Sequence, residues 1–72
     1  METYEYIWRN GTTGQVITHY YGISEREMLM ISQGIHFGLL HAGRRNGQVN
    51  VYAVTPEGEK IAHSFRLTPK SK

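Results

Sequence analysis

Ile23-Ser24-Glu25-Arg26-Glu27-Met28-Leu29-Met30-Ile31-Ser32-Gln33-Gly34 is the stretch on which the fold turns, because it alone in this chain starts, runs and stops like a helix. Ser24 followed by Glu27 fits a capping box: the hydroxyl accepts from an orphan amide of the first turn, and the carboxylate reaches back to the cap's own N–H. Glu25 and Glu27 add negative charge at the positive end of the helix dipole. Met28, Leu29 and Ile31 form an apolar side, and Gly34 stands where a left-handed residue would close the helix.

Two lengths compete. A helix over residues 24–42 extends the stripe of Met28 and Ile31 through Ile35, Leu39 and Ala42. It also places Gly34 and Gly38 mid-helix, at about 1 kcal/mol each relative to alanine, and turns Met30, Phe37 and Leu40 into a second apolar face. A helix ending at Gly34 avoids both conflicts and frees residues 35–42 as a strand. The expected fold is therefore α+β, a small antiparallel sheet with one helix in the order β-β-α-β-β-β; the alternative is β-β-α-β-β with the long helix.

Outward from the helix, Thr3 to Arg9 reads as a strand with Tyr4, Tyr6 and Trp8 on one side and Glu5 and Arg9 on the other. Such an aromatic stripe is chiefly core in a chain with only two phenylalanines and 39% hydrophobic residues. Asn10-Gly11 signals a type I′ hairpin, although Thr12-Thr13-Gly14 permits a longer loop, and residues 15–21 return antiparallel. Asn46-Gly47 marks a second hairpin, pairing Arg45 with Gln48, Ala42 with Val51 and Leu40 with Ala53. Thr55-Pro56-Glu57-Gly58 supplies the last turn. A type I turn with a glycine bulge there sets Ala53 opposite Ile61, Val51 opposite His63 and Val49 opposite Phe65. Residues 68–72 form a polar, basic tail expected to fray.

With 72 residues the chain is read as one domain of marginal stability. The absence of cysteine excludes disulfides and thiolate metal sites. No apolar run suggests a signal peptide or membrane span, so cytoplasmic residence is the expectation. Eight Lys and Arg against six glutamates give a net charge of +2, a mild basic bias.

Chemistry is sparse. His19, His36, His41 and His63 lack the spacing that points two imidazoles at one ion, so no metal is expected. Ser24 is a cap rather than a nucleophile, the segment Gly43 to Gly47 lacks the phosphate-loop spacings, and neither catalysis nor a cofactor is predicted. No spacing matches a family signature.

The pairing scheme gathers Arg45, Gln48, Asn50, Tyr52, Lys60, Ser64 and Arg66 on one wet sheet face, with Arg44 at the turn and Lys70 and Lys72 in the tail. Guanidinium forks suit phosphates, amides suit base edges and Tyr52 offers a stacking plane, so nucleic acid is the expected partner. Against this stands the ordinary need of an amphipathic sheet for a solvated side. The second reading is a small stand-alone protein-binding inhibitor or adaptor, of mobile-element type, docking by a strand edge or by an apolar patch of Ile35, Phe37 and Leu39. A homodimer is compatible with either.

Overall fold

The computed structural model describes residues 2–42 and 47–67, which form β1 (Tyr4–Asn10), β2 (Val16–Ile23), α1 (Glu25–His41), β3 (Gln48–Thr55) and β4 (Gly58–Arg66). The order is β-β-α-β-β, the long-helix alternative. Of residues 35–42, expected as a strand, 35–41 belong to the helix and Ala42 is its C-cap, so the pairings of Leu40 with Ala53 and Ala42 with Val51 do not form. Asn46-Gly47 consequently follows a helix rather than joining two strands, and the proposed Arg45–Gln48 pair falls partly outside the described residues.

The helix starts as its cap dictates. The Ser24 amide donates to Glu27 Oε1 at 2.8 Å and the Glu27 amide donates to Ser24 Oγ at 3.2 Å, which closes the capping box. It runs through both glycines because Ile35 and Leu39 pack against the core from that extension. Their burial, together with the added turns of backbone bonding, outweighs about 1 kcal/mol per glycine. The expected second apolar face is real and simply left uncovered, with Met30 and Phe37 each 64% exposed. An added Cβ at Gly34 or Gly38 meets nothing within 4 Å. Gly34→Ala and Gly38→Ala are therefore each expected to raise stability by about 1 kcal/mol in urea unfolding, and a loss in either would contradict this helix.

The strands form one antiparallel sheet in the order β2-β1-β3-β4, with β1 inserted between its hairpin partner and β3. The helix covers one face. There Tyr6, Trp8, Met28, Val49, Val51 and Leu67 make the core, with Ile23, Ile31, Phe65 and Ala53 packed around it. The aromatic stripe is structural at Tyr6 and Trp8, while Tyr4 remains 41% exposed. Tyr6 and Trp8 meet edge to face at 6.2 Å, and Trp8 meets Tyr20 of β2 at 5.5 Å. A single polar link crosses this core: the Trp8 indole N–H donates to Ser32 Oγ at 2.9 Å, and that hydroxyl donates to the Met28 carbonyl at 2.8 Å.

Turns follow local chemistry more closely than strand order does. The first hairpin uses the longer loop: the Asn10 carboxamide accepts from the Thr12 and Thr13 amides, and Gly14 takes a positive φ of 79°. The last turn has Pro56 and Glu57 at its corner and Gly58 at φ 122°, as its sequence predicts. Beyond it the register departs from expectation. Val51 opposes His63 and Val49 opposes Phe65 as expected, but Ala53 opposes Lys60 rather than Ile61. The extra residue is Ala62, a bulge within β4 rather than at the turn. Every side chain between the turn and that bulge changes face.

Burial pushes the Tyr6 phenol above its ordinary value of 10, with the Glu25 carboxylate adding to the shift. A raised phenol favours the neutral form in the folded chain, so its contribution is complete below about pH 10 and is lost as the pH climbs through the folded value. Urea midpoints are expected to fall between pH 9 and pH 11 in the wild-type chain and to fall less in Tyr6→Phe. Equal decline in both would reject the assignment.

Candidate nucleic-acid interface

The face turned away from the helix is built by strand alternation. Cross-strand pairing places Ile7 between His19 and Tyr52, Arg9 beside Asn50, and Asn50 beside Ser64. Gln48 and Arg66 form the next pair along. Of the residues expected on one wet face, Gln48, Asn50, Tyr52, Ser64 and Arg66 are thus brought together. Lys60 is not, because the bulge at Ala62 turns it to the face of Ala53. Arg44 and Arg45 lie outside the described residues, as do Lys70 and Lys72.

Three side chains form a row along β3: the Gln48 amide donates to Asn50 Oδ1 at 3.0 Å, and the Asn50 amide donates to the Tyr52 hydroxyl at 3.3 Å. Each retains further donors or acceptors for a ligand. Beside them the face is less basic than expected. Arg9 makes a bidentate pair with Glu59, both contacts at 3.1 Å, and its remaining nitrogen donates to the Gly14 carbonyl at 2.9 Å. Glu59 pushes the Arg9 pKa up, so this guanidinium stays charged and engaged. His19 Nε2 lies 2.7 Å from Glu5 Oε2. Glu5 is on the side of β1 that alternation assigns to it, whereas Glu59 reaches the open face from a position that the expected register did not assign to it.

His19 also stacks on Tyr21, with ring centroids 4.5 Å apart and planes 29° apart. Tyr21 is 70% exposed, which makes it the most open aromatic plane on this face. Tyr21 shares the face of His19 by ordinary alternation, and sequence reasoning missed it because the first turn allowed two loop lengths and so left the register of β2 open.

Charge is segregated along the strands. Tyr4 pairs with Ile23, Glu5 with Val54 and Val54 with Glu59, so the start of β1, the end of β2 and the β3–β4 turn share one end. The helix N-terminus joins them there, since Glu2, Tyr4, Ser24, Glu25 and Arg26 line one shallow depression. All six glutamates belong to this end, with Arg26 and Lys60 as its cations, for a formal charge of −4. At the opposite end stands Arg66, while Arg9 is held by Glu59, and Arg44, Arg45, Lys70 and Lys72 lie outside the described residues. Arg66 pairs with Gln48 there, and the Leu67 amide donates to the Gly47 carbonyl at 3.0 Å.

The apolar patch expected from Ile35, Phe37 and Leu39 is divided by the helix. Ile35 and Leu39 face the core, and Phe37 faces outward. Among the described residues no group of three or more His, Cys, Asp or Glu is placed to hold a metal ion, and no helix is long and apolar enough to cross a membrane. Comparison of the chain with known proteins returns no matching family model, no matching curated protein and no matching solved structure.

Proposed function

We propose that this chain binds nucleic acid, holding phosphates at the cationic end of the sheet and laying bases along the open face. The observation that carries the proposal is the charge segregation: the glutamates gather at one end of the sheet, Arg66 stands at the other beside Gln48, and Arg44, Arg45, Lys70 and Lys72 lie within five residues of Gly47 or Leu67 in sequence. Next to that end lie Gln48, Asn50 and Ser64, whose amide and hydroxyl groups suit base edges and sugars, followed along the face by Tyr52 and then by Tyr21 near the acidic end, whose rings suit stacking. An open antiparallel sheet with exposed aromatics favours single strands, because unstacked bases present the planes that such rings accept.

Mobility-shift titrations of single-stranded oligonucleotides at two salt concentrations test this reading. Log affinity is expected to fall with log salt by about 0.7 per phosphate contacted. The Arg45→Glu, Arg66→Glu variant is expected to bind at least about tenfold more weakly and with a flatter slope, since each displaced contact removes one counterion-release term. Tyr21→Ala is expected to cost about 1–3 kcal/mol for a stacked base without changing the slope. Indifference to salt and to both charge reversals would refute the proposal.

The reading as a protein-binding inhibitor or adaptor is favoured by one observation, the uncharged edge of β2. Capture from nuclease-treated lysate that recovers one protein, with no oligonucleotide binding in the titrations, would replace the first reading by this one.

A further inference from the structure

The two free edges of the sheet are treated differently. β4 carries Glu59, Lys60 and Arg66 among its nine residues, is interrupted by the bulge at Ala62 and follows Pro56 at its turn. Those are the devices by which edge strands repel unwanted pairing. β2 has eight residues, Val16 to Ile23, and none is aspartate, glutamate, lysine, arginine or proline. Its bulges, at Ile17 and at Tyr21-Gly22, lie toward its two ends and leave Thr18, His19 and Tyr20 in regular register between them. The flank beside this edge is apolar and open: Val16 is 48% exposed, Tyr20 41% and Met30 64%. Tyr20, Ile23, Met30 and Ile31 line a groove between β2 and the helix, with Glu27 its one charged residue.

From this contrast we propose that β2 is a self-association edge, which pairs antiparallel with β2 of a second copy about a two-fold axis near His19 and Tyr20. A second copy suits this edge because antiparallel pairing of a strand with itself is self-complementary. The edge has no Asp, Glu, Lys or Arg to set against its own copy across the axis, and the His19 imidazole there contacts Glu5 of its own chain. The area is sufficient. Eight residues at about 3.3 Å make a strip roughly 26 Å long, and a sheet with a helix of about 10 Å diameter packed on it is roughly 20 Å deep. Two such strips bury on the order of 1,000 Å², the lower bound for a specific interface. The axis runs through the sheet, so both helices lie on one side and the two open faces join into one eight-stranded surface.

Sedimentation equilibrium of the full chain over a range of concentrations, with amide hydrogen exchange on the same samples, tests this. The expected result is a reversible dimer, with exchange slowing as concentration rises at those of the Thr18, His19 and Tyr20 amides that point away from β1, and β4 amides unaffected. Met30→Glu, at a surface helix position that tolerates glutamate, is expected to weaken the dimer at least tenfold. Ile61→Lys, on the opposite edge, is expected to leave it unchanged. A monomer at every concentration would overturn the proposal. So would species larger than a dimer, or a dimer disrupted by Ile61→Lys and untouched by Met30→Glu. Oligonucleotide affinity is read separately, so loss of one property does not entail loss of the other.

Discussion

Trp8→Ala is expected to lose about 3–5 kcal/mol in urea unfolding followed by circular dichroism, enough to leave much of the chain unfolded at ordinary temperature. A chain of this size holds roughly 4–11 kcal/mol in all. Trp8 is fully buried at the junction of β1, β3 and the helix, where it touches Tyr6 and Tyr20 edge to face. Its removal opens a cavity that neighbours on three elements cannot close. Part of the loss is polar. Ser32→Ala leaves the indole N–H buried without an acceptor, which costs about 1–3 kcal/mol, whereas in a Trp8→Phe background the same change removes a partner no longer needed. A double-mutant cycle separates these contributions, and additive losses would show that the Trp8–Ser32 bond contributes nothing.

Met28→Ala carries the second largest effect, about 2–5 kcal/mol. Met28 is 1% exposed, the one apolar side chain of the helix that is fully enclosed, and its carbonyl also accepts from Ser32. It therefore anchors the helix on the sheet through its side chain, while its carbonyl takes the proton of the Ser32 hydroxyl that accepts from Trp8. Met28→Leu keeps the volume and is expected to cost under about 1.5 kcal/mol. Because the helix has no other deep anchor, far-ultraviolet dichroism and tryptophan fluorescence should report one shared transition in both variants. Loss of helix while Trp8 fluorescence stays native would contradict this account.

The candidate site was legible only in part, and the bulges explain which part. Gln48, Asn50, Tyr52, Ser64 and Arg66 share a face as simple alternation requires, because β3 is regular and β4 keeps the expected register beyond Ala62. Between Ala62 and the turn, one extra residue exchanges the faces of Lys60 and Ile61 and delivers Glu59 to Arg9. A bulge depends on how a strand sits against its neighbour, and Ala62 carries no local mark of it. The charge segregation was hidden for a related reason. Glu2, Glu25, Glu57 and Glu59 are scattered along the chain and meet only once strand order is known.

Sequence by itself determined what depends on a few neighbouring residues: the cap formed by Ser24 and Glu27, the inward face of Tyr6 and Trp8, and the glycine-closed turn after Thr55. Each of these is a contest between a backbone group and a side chain only a few positions away. Tertiary structure decided the length of the helix, the place of β1 between β2 and β3, and the side on which Lys60 and Tyr21 emerge. Those outcomes turn on burial against distant partners. Ile35 and Leu39 gain more from the core than Gly34 and Gly38 cost the helix, a balance set only when the sheet is assembled beneath them.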